Sequence, residues 1–377
     1  MRVAVAVHGR FHGFDLAREL RAHGHLTGLL TTYPAFIARQ FLPLDLPLAT
    51  APLLEVLRRL PLGRPSDVWI ARRFARFVAR HLPGDLDILV GWSGASLEAM
   101  EPARQRGAKV VIERGSSHIA HQAEILAEEH ARFRLPFTPV DPAMIARECA
   151  EYEAADRISV PTGFARRTFL ERGIAEERLA VNPYGVDLSA FAPAARPPGP
   201  ARPRVLMVGR LGLRKGLPYL LEAARRLGPG VEVRLVGPLD PGAGMLLAAA
   251  PDNVVAAGPL PGSALPGEYA AADLFCLPSL EEGLPLTLLQ AMACGLPVVV
   301  TPETGAADLV TDGMEGVMVP SRDGAALAGA LAGLIADPTL RAEMGRAARR
   351  RVAAGFGWAD YGERAIALYR DLIGETP

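Results

Sequence analysis

The chain has 377 residues, half of them hydrophobic and 22% charged, with 41 basic side chains balancing 41 acidic ones. That length exceeds one ordinary domain, the neutral balance speaks against nucleic acid as a partner, and three scattered cysteines exclude a disulfide framework or a Cys-based zinc site. No stretch of 18 consecutive apolar residues is present and the apolar run after Arg2 is too short for a signal peptide, so a cytoplasmic protein is expected.

Short apolar runs alternate with helical patterns along the chain. Residues 3–7 read as a strand and 14–22 as a helix. Residues 86–90, 110–112, 157–160 and 179–181 read as further strands, with a helix over 97–106. This alternation implies βαβ units and a parallel sheet with helices on both faces. Residues 192–203 carry five prolines in twelve positions. Proline fixes its own φ and has no N–H for a ladder, so this segment reads as a linker. Beyond it the alternation restarts, with strands at 205–208, 231–236, 254–257, 274–277, 298–300 and 316–319. Helices are expected at 217–227, 265–272, 286–293 and 358–373. The fold class is therefore α/β: two doubly wound parallel-sheet domains, 1–191 and 204–355, followed by a helical segment 356–377. Ligands in such a pair collect at the carboxyl ends of the strands, in the cleft.

Residues 52–82 stand apart. Seven arginines face only Glu55 and Asp67, interleaved with Trp69, Ile70, Phe74, Phe77 and Val78. A basic amphipathic segment of this kind suits an anionic membrane surface. It equally suits a surface helix whose apolar face covers the N-terminal sheet.

Two stretches carry candidate chemistry. Residues 208–216, VGRLGLRKG, end a strand, turn on three glycines and open a helix. A helix start offers free N–H groups and a positive dipole end, and Arg210 and Lys215 add charge for a pyrophosphate. Lys215 is one of only two lysines, the other being Lys109. The spacing is neither GxGxxG nor the P-loop pattern, which weakens a dinucleotide or ATP reading. The second stretch, EEGLPLTLLQAMACG, places Glu281 and Glu282 in a strand-to-helix loop. Gly283 permits close backbone approach to a ligand. Gln290 is the polar residue of an otherwise apolar helix, and a buried amide needs partners.

The run 278–298 resembles the signature of the retaining family 4 glycosyltransferases, in which a Glu, seven residues and a second Glu lead into AMACG-x-PV. VGRLGLRKG resembles their VGRL-x-x-x-KG, and VNPYGVDLSAF at 181–191 resembles their IPNGVD-x-x-x-F. Ala272, Asp273, Pro278 and Ser279 match their AD-x-x-x-x-PS segment, and Gly24-His25 falls where a Gly-His pair often stands. The resemblance runs in order over nearly the whole chain. It implies the GT-B architecture: two Rossmann-like domains, the donor held mainly by the C-terminal one, the acceptor mainly by the N-terminal one. The last helix would cross back to the first domain.

By that resemblance, Arg210 and Lys215 would bind the donor diphosphate, and Glu282 the hydroxyls of the transferred sugar. Gly283, Leu284 and Leu286 would bring backbone near the phosphates and sugar. The base would sit near Gly237 and Leu260, and Gly13 would approach the donor from the other domain. Gln290 stands where the family usually has a Glu for the ribose hydroxyls, so it implies a tuned or weakened donor site. The family often has a His after an N-domain strand; here Arg114 takes that position and His118 follows four later, with His118 favoured for catalysis. His8 and His12 are weaker candidates. The implied reaction is retaining transfer from a nucleotide sugar to a hydroxyl acceptor, for cell-surface polysaccharide, lipopolysaccharide or glycolipid. Catalytic residues would be His118, Glu282, Arg210 and Lys215. No metal and no cofactor beyond the nucleotide-sugar co-substrate is expected, since no Asp-x-Asp pair lies in a suitable loop. A lipid-linked acceptor at the inner face of the membrane would fit the 52–82 segment. The competing reading is a sugar-nucleotide-binding protein with little or no transferase activity.

Overall fold

A computed structural model describes residues 1–60, 63–194 and 202–375. Residues 195–201, the greater part of the proline-rich segment, lie outside them. The first sheet contains β1 (Val3–Val7), β2 (Leu26–Thr31), β3 (Leu48–Thr50), β4 (Ile88–Trp92), β5 (Lys109–Glu113), β6 (Arg157–Val160) and β7 (Leu179–Val181). Its order is β3-β2-β1-β4-β5-β6-β7, parallel throughout. The second contains β8 (Arg204–Val208), β9 (Glu232–Val236), β10 (Val254–Gly258), β11 (Leu274–Leu277), β12 (Val298–Val300) and β13 (Gly316–Met318), in the order β10-β9-β8-β11-β12-β13 and again parallel. In each sheet the strand order reverses beside the first strand of that domain, the topological switch point at which such folds bind ligands.

Both faces of each sheet are covered by helices, so the central strands are apolar without alternation. Val3, Val5 and Val7 on one face of β1 and Ala4 and Ala6 on the other are all buried, as are Val298, Val299 and Val300 of β12. The 274–277 and 298–300 runs were readable for this reason. The Leu26–Thr31 and Leu48–Thr50 strands were not read from sequence: Gly28 and Thr27 dilute the first, and the second is a three-residue edge strand only partly buried.

The Trp358–Ile373 helix packs on the Gly13–Ala22 helix at the N-terminal end of the fold. A Cβ on Gly362 would lie 2.4 Å from the Cβ of Glu19, so the two helices touch backbone to side chain there. Tyr361 and Tyr369 on the same helix are fully buried. Arg364 donates to the Asn182 side chain and the Pro183 carbonyl, and the Val186 N–H donates to the Phe356 carbonyl. The chain therefore passes between the two sheet systems twice, once around 182–203 and once around 355–358.

Candidate functional site

Three loops at the carboxyl ends of strands converge: 209–216 after β8, 278–285 after β11, and 114–118 after β5 of the other domain. Glycine permits the contacts. Gly216 has φ +70°, and a Cβ there would fall 1.9 Å from the Pro278 carbonyl oxygen. A Cβ on Gly283 would fall 2.2 Å from the Gly115 carbonyl oxygen. The Gly283 carbonyl also accepts from the Thr162 hydroxyl at 2.9 Å. The 278–285 loop is thus pressed against the N-terminal domain through main chain.

Charge is concentrated at this contact. Glu281 is fully buried and accepts from the Ser116 hydroxyl at 2.6 Å, the Ser117 N–H at 3.0 Å, the Gln122 amide at 2.9 Å and Arg214 Nε at 2.8 Å. Burial would raise its pKa, but Arg214 and these donors outweigh that and hold the carboxyl well below the usual range. Glu282 turns the other way. Its Oε1 lies 2.6 Å from Lys215 Nζ, and its Oε2 lies 3.3 Å from the Arg214 guanidinium. Arg214 also donates to the Ser116 hydroxyl at 3.0 Å. Two carboxylates and two cations of the C-terminal domain therefore alternate at the domain boundary: Glu281 ties the domains together through Ser116, Ser117 and Gln122, and Glu282 with Lys215 forms a pair beside it.

A cavity of about 420 Å³ opens beside this cluster, lined among others by Arg114, Trp92, His12, Tyr184, Arg214 and Leu286. It adjoins a second, of about 380 Å³, that shares Phe11, His12 and Leu286 with it and reaches Gln290 and Trp358. Gln290 Oε1 lies 3.0 Å from the Tyr269 hydroxyl, whose one proton is shared between it and the Thr287 carbonyl at 3.2 Å. Gln290 thus meets a partner within the fold while lining a cavity.

Leu286 and Gln290 line these cavities, while Lys215, Glu282 and Gly283 stand in the loops beside them without lining either. Leu284 is buried in the core, so it can offer a ligand only its backbone. Gly237 follows β9 with its backbone against the Gly209 carbonyl, and Leu260 follows β10, both at the strand ends of the C-terminal domain. Gly13 opens the first helix beside His12. Arg210 differs from expectation: its side chain is 63% exposed and its nearest carboxylate is Asp240, at 3.7 Å. It stands at the rim, not among the paired charges.

His118, expected in the cleft, does not line the cavity. It caps the Ile119–Phe133 helix, its Nδ1 accepting from the Ala120 N–H at 3.2 Å, and its ring packs against Tyr152 and Phe169. Burial, with Arg172 and Arg114 nearby, pushes its pKa down to about 4. The cause is local: a His ahead of a helix can satisfy a free N–H. Arg114 does face the cavity, donating to Glu148 at 2.9 Å, the Ser117 carbonyl at 2.9 Å and the Gln122 side-chain oxygen at 3.1 Å. His12 lines it too, its ring tilted 36° to Tyr184 with centroids 4.0 Å apart and its Nε2 3.5 Å from a Glu113 oxygen. His8 reaches the cavity edge with a buried Nδ1 that has no hydrogen-bond partner, and burial pushes its pKa to about 4. Sequence reasoning missed Arg214 and Gln122, and it placed Glu281 in the loop without its role across the domain boundary. The signal available was a second cation next to Lys215.

A sequence model for "Glycosyl transferases group 1" matches residues 202–337. The chain is 32% identical over 349 residues to D-inositol 3-phosphate glycosyltransferase 1 of Catenulispora acidiphila, covering 84% of this chain and 81% of that one. It is 30% identical over 327 residues to the GDP-mannose-dependent alpha-(1-6)-phosphatidylinositol monomannoside mannosyltransferase of Mycolicibacterium smegmatis, covering 79% of each. Among solved structures, sucrose-phosphate synthase from Thermosynechococcus elongatus superimposes with a TM-score of 0.77 at 24% identity over 100% of both chains. HepE of Anabaena, solved with UDP, superimposes with a TM-score of 0.70 at 16% identity, covering 98% of this chain and 100% of that one. Sequence over most of its length and fold over all of it agree: the chain belongs to the group 1, family 4 glycosyltransferases of the GT-B superfamily.

Proposed function

We propose that this glycosyltransferase moves a sugar from a nucleotide sugar to a hydroxyl acceptor with retention of configuration, in the synthesis of cell-surface polysaccharide, lipopolysaccharide or glycolipid on the cytoplasmic side. The observation that carries the reading is the Lys215–Glu282 pair beside Arg214, which itself lines a cavity walled mostly by the other domain. As the glycosidic bond breaks, negative charge grows on the diphosphate. Lys215 and Arg214 stabilise it, and Arg210 joins them from the rim. Lys215 exchanges Glu282 for phosphate, which frees Glu282 to hold sugar hydroxyls. Gln290 and its Tyr269 partner would take the ribose. The cations supply the neutralisation, so transfer is expected to survive a chelator. The relatives' names pair this family with inositol phosphate and phosphatidylinositol mannoside, which supports a polyol hydroxyl as the acceptor.

The test is turnover by purified protein with UDP-, GDP-, ADP-, CDP- and dTDP-sugars, with and without EDTA, following nucleotide release and product anomer. Acceptor-dependent release with retained configuration is the expected result. Gln290, neutral where a charged ribose ligand is usual, favours a second reading. Tight nucleotide-sugar binding without release in the presence of acceptors would make the chain a binding protein of the same fold.

A further inference from the structure

We propose that His12, oriented by Glu113, is a catalytic residue of the transfer: its Nδ1 accepts the hydrogen bond of the attacking hydroxyl and turns that oxygen toward the sugar. This role rests on the transferase reading. His12 belongs to the loop 8–13 that follows β1, and that loop is fixed on several sides. The Thr31 hydroxyl donates to the Gly9 carbonyl at 2.7 Å, and the Arg10 guanidinium lies 4.0 Å over the Phe41 ring. The His12 ring packs among Trp92, Tyr184 and Tyr361, with centroids 4.8, 4.0 and 5.8 Å away. Between these anchors Phe11 takes φ +38°, a left-handed conformation that a bulky side chain avoids. Strain of that kind persists only where the surroundings over-determine it, and it gathers at ligand sites.

The surroundings of His12 leave its two nitrogens different tasks. Nε2 lies 3.5 Å from Glu113 Oε2, and both residues are buried. Neither His12 Nε2 nor Glu113 Oε1 has a hydrogen-bond partner. The Tyr184, Tyr361 and Tyr369 hydroxyls are buried without partners as well. Burial, reinforced by the Glu113 charge, keeps all three phenols protonated. They bring no charge to the ring; Glu113 does. A buried imidazole and a buried carboxylate side by side, each with unspent hydrogen-bonding capacity, call for an explanation beyond stability. Catalytic contacts of this length commonly tighten when substrate binds. With Nε2–H given to Glu113, the neutral ring keeps a lone pair on Nδ1, and Nδ1 is the nitrogen left for a ligand.

His12 also stands where the two substrates meet. With Phe11 and Leu286 it lines both cleft cavities. One of them reaches Gln290, the expected ribose contact; the other is walled mostly by the N-terminal domain, the side from which the acceptor is expected. A side chain common to both borders the point at which a sugar held in one meets a hydroxyl held in the other. A Cβ on Gly115 would lie 3.9 Å from His12 Cε1, and the Gly115 carbonyl is the group pressed against Gly283. One layer of main chain therefore separates the ring from the 278–285 loop. His118 has no such freedom, since its Nδ1 is spent on the Ala120 N–H.

The experiment has two arms. Long-range proton–nitrogen correlation spectra of the full chain, labelled at the histidine ring nitrogens, read the tautomer, and His12→Asn assigns the signal. The neutral, Nε2-protonated form is expected near neutral pH, kept in Glu113→Gln and lost in Glu113→Leu. In the second arm, nucleotide release from the nucleotide sugars is followed with myo-inositol as the probe acceptor and with water alone. His12→Leu should lower kcat/KM on the order of 100-fold with either. His12→Asn, whose Oδ1 stands where Nδ1 stood, should recover the rate to within about tenfold of the parent. Glu113→Leu should fall with His12→Leu, and Glu113→Gln should stay with His12→Asn. The nucleotide-sugar Kd, by calorimetry, should move less than about twofold in every variant, which a merely structural loss would not allow. A His12 protonated on Nδ1 or on both nitrogens, an undiminished rate in His12→Leu, or an Asn variant as poor as the Leu variant would overturn the proposal. If the parent releases nucleotide to neither acceptor, the transferase reading fails and the hydroxyl role falls with it. The tautomer arm needs no turnover, so the pairing of His12 with Glu113 is judged apart from that reading.

Discussion

Replacing Glu281 by Ala should loosen the protein at the seam between its domains. The carboxylate is fully buried and accepts four hydrogen bonds, three of them from Ser116, Ser117 and Gln122 across the boundary. Removing one partner of a buried ion pair costs about 3–5 kcal/mol, since the remaining charge is left uncompensated. Here Arg214 keeps 30% of its side chain in water and retains Glu282, so the lower end, about 3 kcal/mol, applies. For one domain of about 150–250 residues unfolding as a unit that is a fall in Tm of roughly 6–12 °C, and about 4 °C if the whole chain unfolds together. Glu281→Gln keeps an acceptor for Ser116 and should cost less. Urea and thermal unfolding of the two variants, with Ser116→Ala and the double variant, measure it. A coupling of about 1–2 kcal/mol between positions 281 and 116 is expected. The pH dependence has a fixed sign. The folded pKa of Glu281 is depressed, so its contribution is fully present above the unfolded-chain value of 4.5 and is lost as pH falls toward the folded value. A Glu281→Ala protein within about 1 kcal/mol of the parent at pH 7, or strictly additive effects with Ser116→Ala, would refute the interdomain bridge.

Other outcomes follow from the same site. Lys215→Ala and Glu282→Ala should each lower turnover by about 10²–10³, read in single-turnover assays; near-parent rates in either would remove it from the machinery. Gln290→Glu should tighten nucleotide-sugar binding by about tenfold in calorimetry, because a charged acceptor makes stronger hydrogen bonds to ribose hydroxyls. Gly283→Ala should destabilise by more than about 2 kcal/mol in urea, since its Cβ would press on the Gly115 carbonyl. His118 is held neutral with a pKa near 4, below the unfolded 6.5. Its contribution is complete above 6.5 and shrinks as pH falls toward 4, so stability should decline over that window. His118→Asn, which can still cap the helix, should flatten the decline without abolishing turnover.

How much could be read beforehand depended on distance along the chain. Strands covered on both faces announce themselves as unbroken apolar runs, and 274–277, 298–300 and 157–160 were located to the residue. Lys215 and Glu282 could be named because each sits in a loop with a local pattern. The function of Glu281 could not: three of its four partners are 159 to 165 positions away, on the other domain, and no periodicity encodes that meeting. Arg214 was hidden for the same reason, in a chain where Arg is the default polar residue. His118 misled because capping a helix and lining a cleft draw on the same loop chemistry. The 52–82 segment was read two ways, as a cover for the sheet and as a basic surface, and the buried stripe Ile70, Ala71, Phe74, Ala75 and Val78 of its longer helix is the cover.

The return of Trp358–Ile373 to the first helix bears on how the chain acquires its shape during synthesis. The seat for Tyr361 and Tyr369 includes residues of the N-terminal domain, yet the side chains that fill it are made after both sheets. Until then the N-terminal sheet carries an uncovered apolar flank beside the Gly13–Ala22 helix. The N-terminal domain is thus finished only after the C-terminal one has been made, and truncation ahead of residue 358 should injure the domain farther from the cut in sequence.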